Sequence, residues 1–385
     1  MPLPTKSLKI GLVIDTSLDP EDGVQQYVIG IGEWLRQQGH DIHYLAGQTD
    51  KRQLPNLHSL SRNITVSFNG NRTTIPLPTS RRKLRRFIEA EKFDVLHVQT
   101  PHHPLMAQRL ILAADDRTAV VGTFHILPYD WLSRVGTRLL GLWLRPSLKR
   151  FDRLIAVSPV AAEFATHSFR LKDVGVLPNV VDYSLFHGAK PFPEYDDGTV
   201  TILFLGRLVP RKGCQLLLEA IALLANKTDL PKFRVVICGR GQLDAKLKQF
   251  VKENELKSYV TFTGFVSEED KPRYYASADI SVFPSSGGES FGIVLLEAMA
   301  SGQAAVLAGD NPGYRSVIGE RPDLLFDPHN AAELAGKLQL FLEDKAARQQ
   351  TQTWGANFTK DFDVNVVGRK LVNIYQEALR KRRGA

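Results

Sequence analysis

Gly287-Gly288-Glu289-Ser290-Phe291-Gly292-Ile293-Val294-Leu295-Leu296-Glu297-Ala298-Met299-Ala300-Ser301-Gly302 decides how this chain reads. The glycine pair makes a tight loop without side chains. An apolar run at helical spacing begins at Phe291. A glycine-rich loop feeding a helix N-terminus is a ready anion site, because first-turn N–H groups have no intrahelical acceptor. Glu289 and Glu297 stand eight residues apart. That is a little over two helical turns, so both can face the same way. Glu297 lies among Val294, Leu295, Leu296, Ala298 and Met299, which predicts partial burial. A buried carboxylate needs hydrogen-bond donors. Ribose hydroxyls would supply them, with Glu289 at the sugar side of the same ligand. The plainer alternative is two acids on a solvated face.

Working outward, Ile280 to Phe283 reads as the strand leading into this motif, and the second half of the chain repeats that pattern. Val200–Leu205, Phe233–Cys238, Tyr259–Phe262, Ala304–Ala308 and Leu324–Phe326 read as strands. Helices are expected at 214–226, 243–253, 268–276, 331–342 and 345–358. A long basic one follows at 364–382. The first half alternates in the same way. Strands are expected at 9–15, 41–46, 93–98, 119–125, 153–157 and 174–177, and short strands and loops between Lys51 and Pro78. Ser80 is expected to cap a helix running to about Ala90. Residues 131–150 read as a helical, apolar and basic segment. His187 to Gly198 holds prolines, glycines and acids without a period, so the linker is placed in or just before it. The expected domains are 1–183, with 364–385 packing back on it, and 184–363. Such alternation implies α/β architecture with parallel sheets covered on both faces. Two doubly wound domains leave a cleft at the C-terminal ends of their strands, where ligands bind.

At 385 residues the chain exceeds one ordinary core. Its 43% apolar and 23% charged composition is that of a globular protein. No apolar run is long enough to span a bilayer, and Met1 to Leu8 lacks the apolar region of a signal peptide. Two cysteines, Cys214 and Cys238, form no disulfide framework and suit a reducing cytoplasm. The net charge of +8 points to an anionic partner. The charge is most concentrated at Arg81-Arg82-Lys83-Leu84-Arg85-Arg86-Phe87-Ile88. There Leu84, Phe87 and Ile88 share a face ringed by five cations. Like charges at i,i+4 weaken a helix unless an anion relieves them. Anionic lipid headgroups fit this pattern best, with an ordinary solvated helix face as the alternative. Nucleic acid does not, because no aromatic-basic interleaving or binding motif accompanies it. Trp131, Trp143, Arg134, Arg138, Arg145, Lys149 and Arg150 extend the same surface, with core packing competing for the two tryptophans.

Gly206-Arg207-Leu208-Val209-Pro210-Arg211-Lys212-Gly213 follows the first strand of the second half. Arg207 and Lys212 flank a turn before a helix, which suits a diphosphate. Gly239 lies in Gly239-Arg240-Gly241, a tight turn or a nucleotide contact. Gly23 opens the first helix, where backbone amides can meet phosphates. His125 ends a strand and is expected to face the cleft, whereas His97 is expected in the core. No Asp-x-Asp pair follows a strand and no Cys/His ligand set appears, so no metal site is expected.

The segment Glu289 to Gly302 resembles the Glu-x7-Glu signature of retaining GT-B glycosyltransferases of family 4. Gly23-Val24-Gln25, Thr123-Phe124-His125, Leu177-Pro178-Asn179-Val180-Val181-Asp182 and Phe204 to Gly213 resemble further segments of that family. The cationic helix before Asp94-Val95-Leu96-His97 is most similar to phosphatidyl-myo-inositol mannosyltransferases. One departure is Asp22 before Gly23, where those enzymes often have a second glycine. A carboxylate there would repel a diphosphate and must point away. The resemblance implies a GT-B fold of two Rossmann-like domains facing across a cleft. It also implies hexose transfer, with retention, from a nucleotide diphosphate sugar, GDP-mannose favoured, to a lipid-linked acceptor. Arg207 and Lys212 would stabilise the departing diphosphate, Glu297 would hold the ribose and Glu289 the sugar. His125 would orient sugar or acceptor. Gly23, Gly239, Gly288, Phe291, Gly292 and Ile293 would complete the donor site, and Arg81, Arg82, Lys83, Arg85 and Arg86 the membrane side. The leaving phosphate would take the acceptor proton on the front face. No prosthetic group or metal is implied. The expected enzyme is a monomer at the cytoplasmic face of the membrane. The rival readings are a UDP-sugar enzyme acting on a soluble or polysaccharide acceptor, a nucleotide-sugar 2-epimerase, and a catalytically silent nucleotide-binding module.

Overall fold

The computed structural model describes residues 6–19, 23–50, 53–68, 71–125 and 140–384. Asp22, Trp131, Arg134 and Arg138 lie outside the described residues. The chain forms two compact units, one of Met1–Val180 with Val364–Ala385, the other of Val181–Asp363.

The first unit runs β1 (Lys9–Ile14), α1 (Gly23–Gln37), β2 (Asp41–Gly47), β3 (Leu57–Ser61), β4 (Asn63–Phe68), β5 (Asn71–Pro76), α2 (Arg81–Glu91), β6 (Val95–Gln99), α3 (Met106–Ala113), β7 (Ala119–Phe124), α4 (Arg145–Leu148), β8 (Arg153–Ala156), α5 (Pro159–Phe169) and β9 (Val174–Val176). Its sheet has the order β3-β2-β1-β6-β7-β8-β9, with every pairing parallel. β4 and β5 form a separate antiparallel pair. The strands β1, β2, β6 and β7 are buried along nearly their whole length, as strands covered on both faces must be.

The second unit runs α6 (Tyr183–His187), β10 (Val200–Leu205), α7 (Cys214–Ala225), β11 (Phe233–Cys238), α8 (Asp244–Glu253), β12 (Val260–Gly264), α9 (Lys271–Ala276), β13 (Ile280–Phe283), α10 (Ile293–Ala300), β14 (Ala305–Gly309), α11 (Pro312–Ile318), β15 (Leu325–Phe326), α12 (Ala331–Glu343) and α13 (Lys345–Phe358). Its sheet is again parallel, with the order β12-β11-β10-β13-β14-β15. β10 and β13 are adjacent, so the basic turn after one and the glycine loop after the other leave the sheet side by side.

The last helix, α14 (Val364–Arg383), belongs to the first unit. Val367, Leu371, Val372, Tyr375, Ala378 and Leu379 recur at helical spacing and join the core of Ile10, Leu12, Ile31, Trp34 and Val121. Gly368 lies so close to the Trp34 ring that a Cβ there would stand 2.6 Å from it. The basic end of this helix is structural. Arg382 pairs with Asp152 at 2.7 Å and Arg383 with Asp94 at 2.7 Å. Arg150, expected on a lipid-facing surface, is instead drawn into the same cluster. Its guanidinium donates to the carbonyls of Asp115 and Thr118 and lies 3.5 Å from Asp152.

Candidate active site

The glycine loop and the basic turn are fastened together at the Arg211 carbonyl. Ser286 N–H donates to the Arg211 carbonyl at 2.9 Å, and Ser285 Oγ donates to the same oxygen at 3.0 Å. Gly213 makes this approach possible. It sits at φ +72°, and a Cβ there would lie 2.0 Å from the Pro284 carbonyl oxygen. Only glycine tolerates both the conformation and the contact.

This junction delivers Glu289 into a cationic nest. Its Oε1 lies 2.7 Å from Arg211, 2.9 Å from the Lys212 ammonium and 2.8 Å from Ser285 Oγ. Burial pushes the Glu289 carboxyl up. Lys212 and Arg211 outweigh it and hold the group at about 2. Glu289 is therefore ionised at neutral pH. One carboxylate against two cations leaves the nest net positive. Arg207, a few residues back at the end of β10, is half-buried. Above the nest, α10 starts at Ile293 behind Gly292, with no side-chain cap and no acid in its first turn. Its amides thus present partial positive charge. Gly288 sits in the loop at φ +70°, and Phe291 is buried behind it.

Glu297 faces a different set of partners, so the two acids of the motif do not share an environment. Its side chain is buried. Oε1 accepts from the Lys271 ammonium at 2.8 Å and Oε2 from the Tyr275 hydroxyl at 3.3 Å. Burial raises its carboxyl despite Lys271. The burial predicted from sequence holds. The donors are protein groups on α9, so burial by itself no longer calls for ribose hydroxyls. Gly239 likewise has a structural reason. A Cβ there would stand 1.9 Å from the Gly206 carbonyl oxygen, and its N–H donates to Gly264 at 2.7 Å.

In the first unit, His125 directly follows β7 and is buried. Its Nε2–H donates to Gln99 Oε1 at 2.6 Å, and its ring meets Tyr27 edge-on at 5.0 Å. Burial depresses it to about 3, so the ring is neutral at pH 7. His97 is fully buried between the Tyr375 hydroxyl at 2.7 Å and Thr123 Oγ1 at 2.6 Å. Gly23 opens α1 and is exposed. Among the described residues no cluster of three His, Cys, Asp or Glu side chains has the geometry to hold a metal.

Two family models match the chain in tandem. The one for Glycosyltransferase Family 4 covers residues 22–185, and the one for Glycosyl transferases group 1 covers residues 190–358. A phosphatidyl-myo-inositol mannosyltransferase of Mycobacterium tuberculosis is 32% identical over 377 residues, covering 96% of this chain and 97% of that one. The chain belongs to the family 4 glycosyltransferases. A counterpart of the same description from Propionibacterium freudenreichii is 30% identical, with 96% and 95% covered. A glycosyltransferase structure from Rickettsia africae superposes with a TM-score of 0.75 at 20% identity, covering 98% of this chain and 100% of that one. The shared fold is GT-B.

Within this glycosyltransferase, several residues emerge only from the structure. Arg211 was visible in the basic turn, yet nothing in its spacing set it above Arg207 as the partner of Glu289. Lys271 and Tyr275 lie more than twenty residues before Glu297, on another helix, and no local signal links them. Gln99 was readable only as the last residue of a strand. On α2, Arg81, Arg82, Lys83, Arg85 and Arg86 are all exposed, and none makes an ion pair to a described residue. Leu84 and Ile88 are buried. Phe87 turns inward onto His58, with ring centroids 4.9 Å apart. Ser80 occupies the N-cap position, but its side chain accepts no hydrogen bond. No described helix is long and apolar enough to cross a membrane.

Proposed function

We propose that this glycosyltransferase moves mannose, with retention of anomeric configuration, from GDP-mannose to a lipid acceptor of the phosphatidylinositol type. The observation that carries the reading is the Glu289 nest: an ionised carboxylate held by Lys212, Arg211 and Ser285 beside an uncapped helix N-terminus. Such a nest binds the diphosphate through Lys212, Arg207 and the α10 amides, and Glu289 is left to hold sugar hydroxyls. Charge growing on the departing diphosphate is then stabilised by groups already in place, usually the largest electrostatic contribution to such a reaction. Glu297, oriented by Lys271 and Tyr275, holds the ribose. Gly23, Gly239, Gly288, Phe291, Gly292 and Ile293 shape the remaining donor contacts. His125, neutral and fixed by Gln99, orients the sugar or acceptor. No metal takes part. The mannosyltransferases that match over most of this chain support the choice of donor sugar and acceptor. The exposed cations of α2 support work at an anionic membrane surface. The enzyme acts as a monomer on the cytoplasmic face. The first unit serves the acceptor and the second the donor.

The test is transfer to phosphatidylinositol vesicles from GDP-mannose, with UDP-sugars and a soluble polyol as comparison arms. Glu289→Gln and Lys212→Ala should each lower transfer by about 100-fold. Rates within a few-fold of the parent would remove the nest from the chemistry. Turnover of UDP-glucose but not GDP-mannose would replace the donor, and a β-linked product would exclude retention.

A further inference from the structure

Helices α2 and α3 and the segment around Trp143 enclose a groove of about 650 Å³ in the first unit. Cationic and apolar side chains stand together among its described lining residues. Arg81, Arg82 and Arg85 of α2 stand with Arg109 of α3, while Leu112 and Trp143 supply apolar surface. Leu112 is 56% exposed and Trp143 is 65% exposed. A single exposed apolar side chain is ordinary. Two of them lining one concavity with four guanidinium groups is a built combination. Arg109 already donates to the Thr79 carbonyl, which fixes the α3 side of the groove. Arg81 and Arg85 repel each other at i,i+4, and the first turn of α2 holds no acid to relieve them.

The groove also sorts the five cations of α2. Arg81, Arg82 and Arg85 line it, whereas Lys83 and Arg86 do not. Adsorption to a charged surface would use all five alike. A discrete ligand would use the first three together with Leu112 and Trp143.

We propose that this groove seats one molecule of a phosphate-bearing amphiphile, its phosphate on the three α2 arginines and one acyl chain along Leu112 and Trp143. The proposal deepens the membrane reading above and rests on it. It adds a stoichiometric site, with residues of α3 and the Trp143 segment, to a helix otherwise read as a charged surface. Guanidinium pairs match phosphate oxygens in geometry. An alkyl chain lying on leucine and tryptophan leaves water at a gain for every methylene buried.

The test uses soluble probes on the full chain: inorganic phosphate, hexyl phosphate and decyl phosphate. Each is kept below its micelle-forming concentration and titrated by calorimetry. Each buried methylene strengthens binding about fourfold, so decyl phosphate should bind at least about tenfold more tightly than hexyl phosphate, at one molecule per chain. Replacing Arg81, Arg82 and Arg85 together by serine should weaken decyl phosphate about 100-fold. Leu112→Ser and Trp143→Ser lie at exposed positions and leave the fold intact. They should flatten the chain-length dependence and leave inorganic phosphate within a few-fold. A parallel arm measures binding to phosphatidylcholine vesicles with and without phosphatidylinositol. Equal affinity for the three soluble probes would overturn the proposal. If the vesicles still bind in that case, the membrane reading survives and only the discrete seat falls. If neither probes nor vesicles bind, both fall together.

Discussion

Lowering the pH from 7 to 5 should destabilise the first unit and spare the second. His97 and His125 are buried in the first unit, and burial pushes each from an ordinary 6.5 to about 3. His97 feels the His125 charge as a smaller contribution of the same sign. The folded state therefore excludes protons that the unfolded chain binds below 6.5. Stability from these groups is full above that value and falls as the pH drops toward 3. At pH 5 each histidine is 1.5 units below its unfolded value, which costs about 2 kcal/mol. His103, half-buried and pushed by burial to about 4, adds roughly 1 kcal/mol after allowance for its exposure.

Asp15 works against them. Burial raises it from 3.8 to about 7, and the Ala107 and Leu105 amides at the start of α3 hold it down in part. The folded state takes up this proton between pH 7 and 5 while the unfolded chain does not, so the unit regains about 2 kcal/mol. These four groups leave a loss of roughly 3 kcal/mol, a large share of the 5–15 kcal/mol typical of a domain. His102, His40 and His58, which burial also pushes down, add to it in the same direction. In the second unit Glu289 stays ionised until pH approaches 2. Its stabilisation is full above the ordinary carboxylate value and is not lost at pH 5. Hydrogen exchange read by mass spectrometry separates the two units, because β6 and β7 give peptides distinct from those of β10 and β13. Protection of β6 and β7 should fall by at least roughly 3 kcal/mol at pH 5 after correction for intrinsic rates. Unchanged protection there, or an equal loss in β10 and β13, would refute the reasoning.

Gly213→Ala should cost more than about 3 kcal/mol, since it combines a left-handed conformation with a contact on the Pro284 carbonyl. Urea midpoints check the cost, and a loss under about 1 kcal/mol would mean that the turn and loop are not clamped through this glycine. Lys271→Met removes a charged donor from the buried Glu297 and should cost about 3–5 kcal/mol. Adding Glu297→Gln should restore part of that stability, and a strictly additive double variant would show that the two side chains do not depend on each other.

The fold was legible because its signals are local. Buried parallel strands are short apolar runs, and α12, α13 and α14 carry complete helical periods, so sequence spacing placed them to within a residue. The glycine loop was legible for the same reason, since its chemistry lies within sixteen consecutive residues. What spacing could not resolve is which residues meet across the sheet. The parallel pairing of β10 with β13 places Arg211 and Lys212 on Glu289, and that register is a property of two strands separated by more than seventy residues. The eight-residue separation of Glu289 and Glu297 suggested one shared face, but the helix starts only at Ile293. Glu289 stays in the loop, with its pKa driven down by cations. Glu297 goes into the core, with its pKa driven up by burial. Opposite shifts in two acids of one motif are the physical sign of two different tasks. On the proposed reading Glu289 meets the sugar hydroxyls while its ion pairs with Arg211 and Lys212 stay in place. Glu297 is already held by Lys271 and Tyr275, which on the proposed reading makes it a preset acceptor for the ribose.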